Sequence, residues 1–154
     1  MDELIKTTPH YVRIAPGGAL PDVTPFAPFK AIVVLESEYS SDWQNEVSNW
    51  LVASGCRYMM AWGPECSSWD DSVDWADIEA RDYKEDDSKF VMTTWHDDES
   101  LESVFWYSQF CAIFSCDEQE LRKALILHVS ESDREAEFLL LFEQSRTLAE
   151  REPD

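Results

Sequence analysis

The feature that most constrains this fold is a wholly apolar pentapeptide, followed by a capped amphipathic helix and a second short strand. The pentapeptide is AIVVL at 31–35, a pattern typical of a strand buried on both faces in a parallel sheet. A helix is predicted from the capping box of Ser41 and Gln44 to Gly55, which suits a left-handed C-cap. A second strand at 57–62 follows directly. This β-α-β order predicts two parallel strands joined by a right-handed crossover.

The rest of the chain repeats this alternation. Further strands are predicted at 90–94 and 124–129, further helices at 67–80, 101–114 and 132–145, a charged loop at 81–88 and a helical turn within 116–123. Four strands alternating with four helices predict an α/β fold, a three-layer sandwich with a mainly parallel four-stranded sheet of the flavodoxin or Rossmann-like kind. With the strands numbered along the chain, we expect the order 2-1-3-4.

Three segments differ in composition. Residues 1–28 form a proline-rich N-terminal arm, 29–146 a single α/β domain and 147–154 a charged C-terminal tail. The prolines of the arm exclude a long helix. Within it, 10–14 is predicted to pair as a short edge strand.

The charge of the chain is its most unusual bulk property. It has 32 acidic and 12 basic residues among 154, for a net charge of −20. Such a surface repels nucleic acid and anionic membranes, so we expect neither as a partner. A basic protein partner fits better, although strong charge often serves only to keep a protein dispersed. No apolar run approaches a membrane span and no signal peptide is evident, so we expect a cytoplasmic protein.

The loops that follow parallel strands should converge at the carboxyl edge of the sheet. Glu36 and the run Asp97–Glu99 are therefore candidates to hold Mg²⁺ through carboxylate oxygens. The pattern is similar to that of phosphoryl-transfer enzymes of the Toprim kind, but those carry a spaced Asp-x-Asp, whereas Asp97 and Asp98 are adjacent. Acidic residues at a helix start also simply stabilise the helix.

A thiol site is a second possibility at this edge. Cys66 precedes a predicted helix N-terminus, which lowers a thiol pKa, and His96 lies on a neighbouring loop. The surrounding acids oppose that effect. The other cysteines are expected to be packed free thiols. With 4 glycines and no GxGxxG or P-loop, phosphate cradling has no support.

The 7 tryptophans point to packing and to contact surfaces. Trp43, Trp50 and Trp69 fall on the predicted inward faces of helices. The other candidates, which we expect to contact a protein partner, are Trp62, Trp75, Trp95 and Trp106.

Three segments carry a resemblance. YMMAWG, CSSWDDSVDWA and VMTTWHDDESLESVFW are similar to stretches of a family of small, uncharacterised bacterial α/β proteins. The resemblance covers 28–145, and its most specific part is WHDDE at Trp95–Glu99. It implies a bacterial cytoplasmic setting and an α/β domain, with no established activity and no catalytic residues.

The leading hypothesis is a non-catalytic acidic protein that binds a basic protein partner in a bacterial defence, immunity or regulatory system, with no cofactor. The alternative is a metal-dependent hydrolase or nucleotide-processing enzyme with Mg²⁺ as its cofactor. Its candidate catalytic residues are Glu36, Cys66, His96, Asp97 and Asp98.

Overall fold

The structure is a computed structural model that describes residues 7–80, 82, 91–112, 115–116 and 119–148. The strands are β1 (Thr8–Ile14), β2 (Phe29–Leu35), β3 (Cys56–Trp62), β4 (Met92–His96), β5 (Ser115–Cys116), β6 (Gln119–Glu120) and β7 (Lys123–Val129). The helices are α1 (Ser41–Ser54), α2 (Ser67–Ala80), α3 (Leu101–Phe110) and α4 (Glu135–Ser145). Most of the predicted loop 81–88, most of the tail 147–154, and residues 90 and 114 lie outside the described residues.

Five parallel strands form the main sheet, in the order β1-β7-β2-β3-β4. The α/β class and the parallel sheet are confirmed, but the sheet has five strands where four were predicted. The fifth is β1, which includes the edge strand expected at 10–14. The predicted order 2-1-3-4 is wrong, because the same four strands lie in the order 4-1-2-3. The helical turn expected within 116–123 is also wrong, since β5 and β6 pair there antiparallel.

The order follows from where the helices pack. Helices α1 and α2 pack on each other, and α3 packs on α4. The chain steps from β2 through β3 to β4, and then returns to place β7 on the other side of β2. Strand order therefore changes direction between β2 and β7. In open α/β sheets, the crevice at such a switch point is the usual place for a binding site.

The sheet separates two hydrophobic cores. Odd-numbered residues of the central strands, such as Val33 and Leu127, pack with α1 and α2, and even-numbered ones, such as Ile32 and Ile126, pack with α3 and α4. The burial predicted for 31–35 is confirmed at Ile32, Val33 and Val34, which are completely buried. The same holds for three residues of β7: Leu125, Ile126 and Leu127. Central parallel strands are buried on both faces, which explains why their sequence is uniformly apolar.

Two indole groups of α1 contact the segment between β1 and β2. Trp43 Nε1 donates to the carbonyl oxygen of Gly18 at 3.2 Å, and Trp50 Nε1 donates to that of Pro21 at 2.8 Å. Trp43 and Trp69 are buried, as predicted, whereas Trp50 is only half-buried. Gly18 and Pro21 thus lie against α1.

The helix ends are partly as expected. Gly55 ends α1 with a φ of +108°, which confirms the predicted left-handed C-cap. The N-cap is Ser40 rather than Ser41, because the Ser40 hydroxyl accepts from the Trp43 backbone N–H at 3.1 Å. None of the described helices has the length and apolar character needed to cross a membrane.

Candidate functional site at the carboxyl edge of the sheet

A cavity of about 300 Å³ opens at the carboxyl edge, beside the ends of β2 and β3. Its floor and walls come from the loop after β2, the first turn of α1, the loop after β3 and the first turn of α2. The lining residues are Leu35, Glu36, Ser37, Glu38, Tyr39, Ser41, Gln44, Pro64, Glu65 and Ser68. Most of the lining residues are polar, and three of them are glutamates.

Gly63 shapes one wall of this cavity. Its φ is +120°, and a Cβ at this position would lie 2.5 Å from the carbonyl oxygen of Leu35. Only glycine allows the loop after β3 to approach the end of β2 so closely. The next residues, Pro64 and Glu65, consequently lie at the cavity.

A hydrogen-bonded network surrounds Glu36 at the switch point between β2 and β7. His128 Nε2 lies 2.6 Å from Glu36 Oε1, and Arg134 Nη1 donates to Glu36 Oε2 at 2.5 Å. On the other side of the imidazole, Tyr11 Oη lies 2.7 Å from His128 Nδ1. The backbone N–H of Arg134 donates to Tyr11 Oη at 3.0 Å. Four residues, from two strands, the loop after β2 and one helix start, thus form one chain of hydrogen bonds.

The contacts of this network determine which atoms of Tyr11 and His128 donate hydrogen bonds. Since Tyr11 Oη already accepts from Arg134, its own hydrogen can donate to His128 Nδ1, which leaves Nε2–H to donate to Glu36. Burial raises the pKa of Tyr11, so its hydroxyl keeps that hydrogen. For Glu36, burial alone would raise the carboxyl pKa, but the bonds from His128 and Arg134 lower it below its usual value. Glu36 is therefore held as a fixed carboxylate at the cavity.

The same contacts explain where α4 begins. The sequence predicts this helix from residue 132, but α4 starts at Glu135, after Arg134, which makes no side-chain cap. The Arg134 side chain instead pairs with Glu36 and with Glu137. Its backbone N–H donates to Tyr11 Oη. Tertiary contacts of Arg134 thus set the start of this helix.

The structure does not assemble the proposed magnesium site. Glu36 follows β2, whereas Asp97–Glu99 follow β4, with β3 between them. Neighbouring strands lie about 4.8 Å apart, so the two sets are separated by about 10 Å of sheet. Both Glu36 oxygens already accept hydrogen bonds. Within the described residues, no group of three or more Asp, Glu, His or Cys side chains could hold a metal ion.

The proposed Cys66–His96 pair is not formed either. His96 Nδ1 lies 2.8 Å from Glu99 Oε2, and His96 Nε2 lies 2.9 Å from Thr94 Oγ1, so both ring nitrogens have other partners. Cys66 is fully buried. Burial, with a smaller effect of the Asp97 charge, raises the pKa of its thiol, which disfavours the thiolate. Cys56 is also a buried free thiol, whereas Cys111, expected to be packed, is exposed.

The four tryptophans expected at a contact surface differ in exposure. Trp75 is 59% exposed and Trp95 is 46% exposed. Trp62 is half-buried, and its indole N–H donates to the carbonyl oxygen of Glu99 at 2.7 Å. Trp106 is half-buried against Phe110, with 5.7 Å between the ring centroids. Only the first two present large free aromatic surfaces.

Sequence reasoning missed three members of the Glu36 network. His128 had a detectable signal, because it is the polar residue in the otherwise apolar run ALILHV, and a buried polar residue needs a partner. Arg134 had a weaker one, since a basic residue at a helix start is unfavourable without a carboxylate nearby. Tyr11 lies in a short edge strand, and no feature of the sequence indicates its hydrogen-bond partner.

These features define a class of protein: a parallel α/β domain with a cavity at the carboxyl edge of its sheet and a fixed carboxylate at the switch point. Residues 9–145 match the family described as a domain of unknown function (DUF7684), and the chain belongs to that family. The expected membership in an uncharacterised family is thereby confirmed. No curated protein and no solved structure matches the chain.

Proposed function

We propose that the protein binds a basic protein partner without catalysing a reaction on it, through a surface centred on Trp95. The observation that carries this proposal is that Trp95, a large aromatic residue, is 46% exposed on β4, the last strand of the described sheet. An edge strand presents unpaired backbone groups to which an extended segment of another chain can bind. Tryptophan is also enriched among the residues that dominate binding energy.

The charge around Trp95 indicates the sign of the partner. On one side, the Thr93 hydroxyl of β4 donates to carboxylates of α2, those of Asp70 and Asp74. Burial, together with the neighbouring aspartates, raises the pKa of Asp74. On the other side, Asp97 and Asp98 follow β4 directly and are exposed. A Lys- or Arg-rich segment would reduce the repulsion among these carboxylates. The negative electrostatic field of the whole molecule would also attract such a segment.

Trp75 does not belong to this surface. It follows Ser72 by three residues on α2, and Ser72 faces α1 through its hydroxyl contact with Ser48 at 2.8 Å. Asp70 and Asp74, in contrast, face β4. The two exposed tryptophans therefore lie on different sides of α2, which makes Trp75 a matched control for Trp95.

The setting that we propose is the bacterial cytoplasm, within a defence, immunity or regulatory system. The WHDDE stretch at Trp95–Glu99, the most specific part of the family resemblance, contains both the aromatic residue and the acids of this surface.

The test begins with affinity capture from a lysate of the native host by the wild type, Trp95→Ser and Trp75→Ser proteins. We expect a basic protein that is retained by the wild type and by Trp75→Ser but lost with Trp95→Ser. That protein is then purified, and its association and dissociation rates are measured across a NaCl series. The association rate should fall steeply with salt, while the dissociation rate changes less. Equal capture by all three proteins, or an acidic ligand, would contradict the proposal.

A further inference from the structure

We propose that Thr94, His96 and Glu99 form a triad of hydroxyl, imidazole and carboxylate in which Thr94 accepts an acyl group from an activated ester. The first two residues lie on β4, and Glu99 lies in the loop that leads to α3. This inference goes beyond the binding of a basic partner and does not depend on it.

Two hydrogen bonds join the triad in the order that a nucleophile, its base and an orienting carboxylate require. Thr94 Oγ1 lies 2.9 Å from His96 Nε2, and His96 Nδ1 lies 2.8 Å from Glu99 Oε2. Both distances fall within the range of about 2.6–3.2 Å that such groups need to exchange a proton. Triads of this kind occur on unrelated folds, so they are recognised by geometry rather than by position in the sequence.

The contacts also determine the tautomer of His96. An ionised carboxylate can only accept hydrogen bonds, so His96 Nδ1 carries the hydrogen that Glu99 accepts. In the neutral imidazole Nε2 is then an acceptor, and the Thr94 hydroxyl donates to it. His96 therefore presents a lone pair to the Thr94 hydrogen, as a general base must.

Further contacts hold His96 and Glu99 in place. The Ser103 hydroxyl donates to Glu99 Oε1 at 3.4 Å, and the Trp62 indole N–H donates to the carbonyl oxygen of Glu99 at 2.7 Å. His96 is 5% exposed, and its ring lies against that of Tyr107, with 4.8 Å between the ring centroids. A base that is fixed by its neighbours in this way is already oriented for proton transfer.

The Thr94 hydroxyl is more accessible than its base. Thr94 is half-buried, whereas His96 is buried. The strand that carries them, β4, is the last of the described sheet, and α3 packs over β2 and β3 instead. Because side chains alternate along a strand, Thr94 and His96 share the α3 face of β4, and Trp95 points to the other face. The triad and the partner surface are therefore separate.

The chemistry of the step follows from these roles. Thr94 Oγ1 attacks the carbonyl carbon of the ester and forms a new C–O bond, while its proton passes to His96 Nε2. The bond from that carbon to the leaving oxygen then breaks, the leaving oxygen keeps the electron pair, and His96 gives it the proton. The product is an acyl ester of Thr94, which water can hydrolyse when His96 takes a proton from it in the same way.

The test uses the full-length protein and p-nitrophenyl acetate, with release of p-nitrophenolate as the rate and mass spectrometry of peptides as the readout of position. We expect an acetyl group on the peptide that contains Thr94. Thr94→Val should abolish this acetylation, whereas Thr94→Ser should retain it, because serine keeps the hydroxyl.

Thr93→Val is the matched control. Its hydroxyl belongs to the preceding residue of β4 but donates to the carboxylates of Asp70 and Asp74, and not to an imidazole. We therefore expect acetylation of the Thr93→Val protein at the wild-type rate. All three threonine variants change half-buried residues near the sheet edge, so this comparison does not depend on replacing the buried histidine.

Two further variants test the base and the residue that positions it. His96→Gln should slow acetylation of Thr94 roughly a hundredfold or more, the usual contribution of a general base. Glu99→Gln should also slow it and should shift the imidazole toward the Nε2–H tautomer, because the new amide can donate to Nδ1. NMR of the ring nitrogens measures that shift, which a merely structural role of Glu99 would not produce.

Three results would overturn the proposal. The first is a wild-type peptide that carries no acetyl group at Thr94. The second is acetylation of that peptide at the wild-type rate in Thr94→Val or in His96→Gln. The third is a loss in Thr93→Val as large as that in Thr94→Val. None of these measurements involves the basic partner, so the triad and the partner surface can fail separately.

Discussion

At the scale of single residues, Glu36 connects the fold to the cavity. Glu36→Gln removes the charge that His128 and Arg134 stabilise, and should cost about 2 kcal/mol of unfolding free energy at pH 7. Because the folded-state pKa of Glu36 is lowered, this contribution is complete above the unfolded-state pKa near 4.5 and disappears as pH falls through the folded-state pKa. Urea unfolding of both proteins from neutral pH downward measures the difference.

Glu143→Gln is the matched control for Glu36→Gln. Glu143 is an exposed residue of α4 whose ion pair in the described residues is with Arg146 at 3.0 Å. Surface pairs of this kind contribute little, so its removal should cost less than about 1 kcal/mol. A similar loss in both variants, or a Glu36→Gln difference that persists in acid, would show that the network does not stabilise the carboxylate.

Lys30 is a second residue whose environment has a measurable consequence. It lies on β2, is 2% exposed, and donates to the carbonyl oxygens of Ser108 and Ala112 at the end of α3. Burial lowers its pKa to about 8 from an ordinary 10.5. Between these values the unfolded chain binds more protons than the folded one, so stability should rise with pH, by roughly 3 kcal/mol in all.

The measurement for Lys30 is the unfolding free energy of the wild type minus that of Lys30→Met, from neutral pH to about pH 10.5. Tyrosines and cysteines also titrate in this pH range, but their contribution is common to both proteins and cancels in the difference. Lys123→Met, at an exposed position of β7, serves as control and should show no trend. A wild type minus Lys30→Met difference that stays constant would mean that Lys30 is not desolvated.

At the scale of elements, the turn from β3 to α2 depends on the backbone of Gly63. Gly63→Ala would place a Cβ 2.5 Å from the carbonyl oxygen of Leu35, at a φ of +120°. We expect a loss of about 2–3 kcal/mol in thermal or urea unfolding, because an L side chain is strained at this φ and the contact is with backbone.

Gly17→Ala separates these two effects. Gly17 also has a positive φ, +77°, but nothing lies within 4 Å of its Cβ position. Gly17→Ala should lower the unfolding free energy by only about 1 kcal/mol, because the backbone strain of the positive φ is present there without a steric contact. Equal losses of unfolding free energy in Gly63→Ala and Gly17→Ala would indicate that the steric contact with Leu35 contributes nothing to the cost of Gly63→Ala.

At the scale of the whole molecule, the net charge of −20 should oppose folding. Salt screens repulsion between exposed charges, with a Debye length of about 8 Å at physiological ionic strength. We expect the unfolding free energy to rise with NaCl in a non-coordinating buffer and to rise equally with KCl, because screening depends on ionic strength. A flat or falling dependence would indicate that the acids are already paired or hold cations.

The sequence by itself determined the elements and their class. The run AIVVL predicts a strand buried on both faces, and Gly55 predicts the end of a helix just before the next strand. Local periodicity and capping report such facts because they depend on neighbours within a few residues. The parallel α/β class, the buried centre of the sheet and the meeting of loops at its carboxyl edge followed from them.

Only the tertiary structure decided how these elements meet. Periodicity shows that a helix packs on the sheet but not on which face, so it could not place β7 beside β2. Glu36 meets His128 and Arg134 across 92 and 98 residues, a distance over which a single sequence carries no signal of contact. The same is true of exposure, since Trp62 and Trp95 both lie near the ends of strands, yet Trp95 is 46% exposed and Trp62 is half-buried.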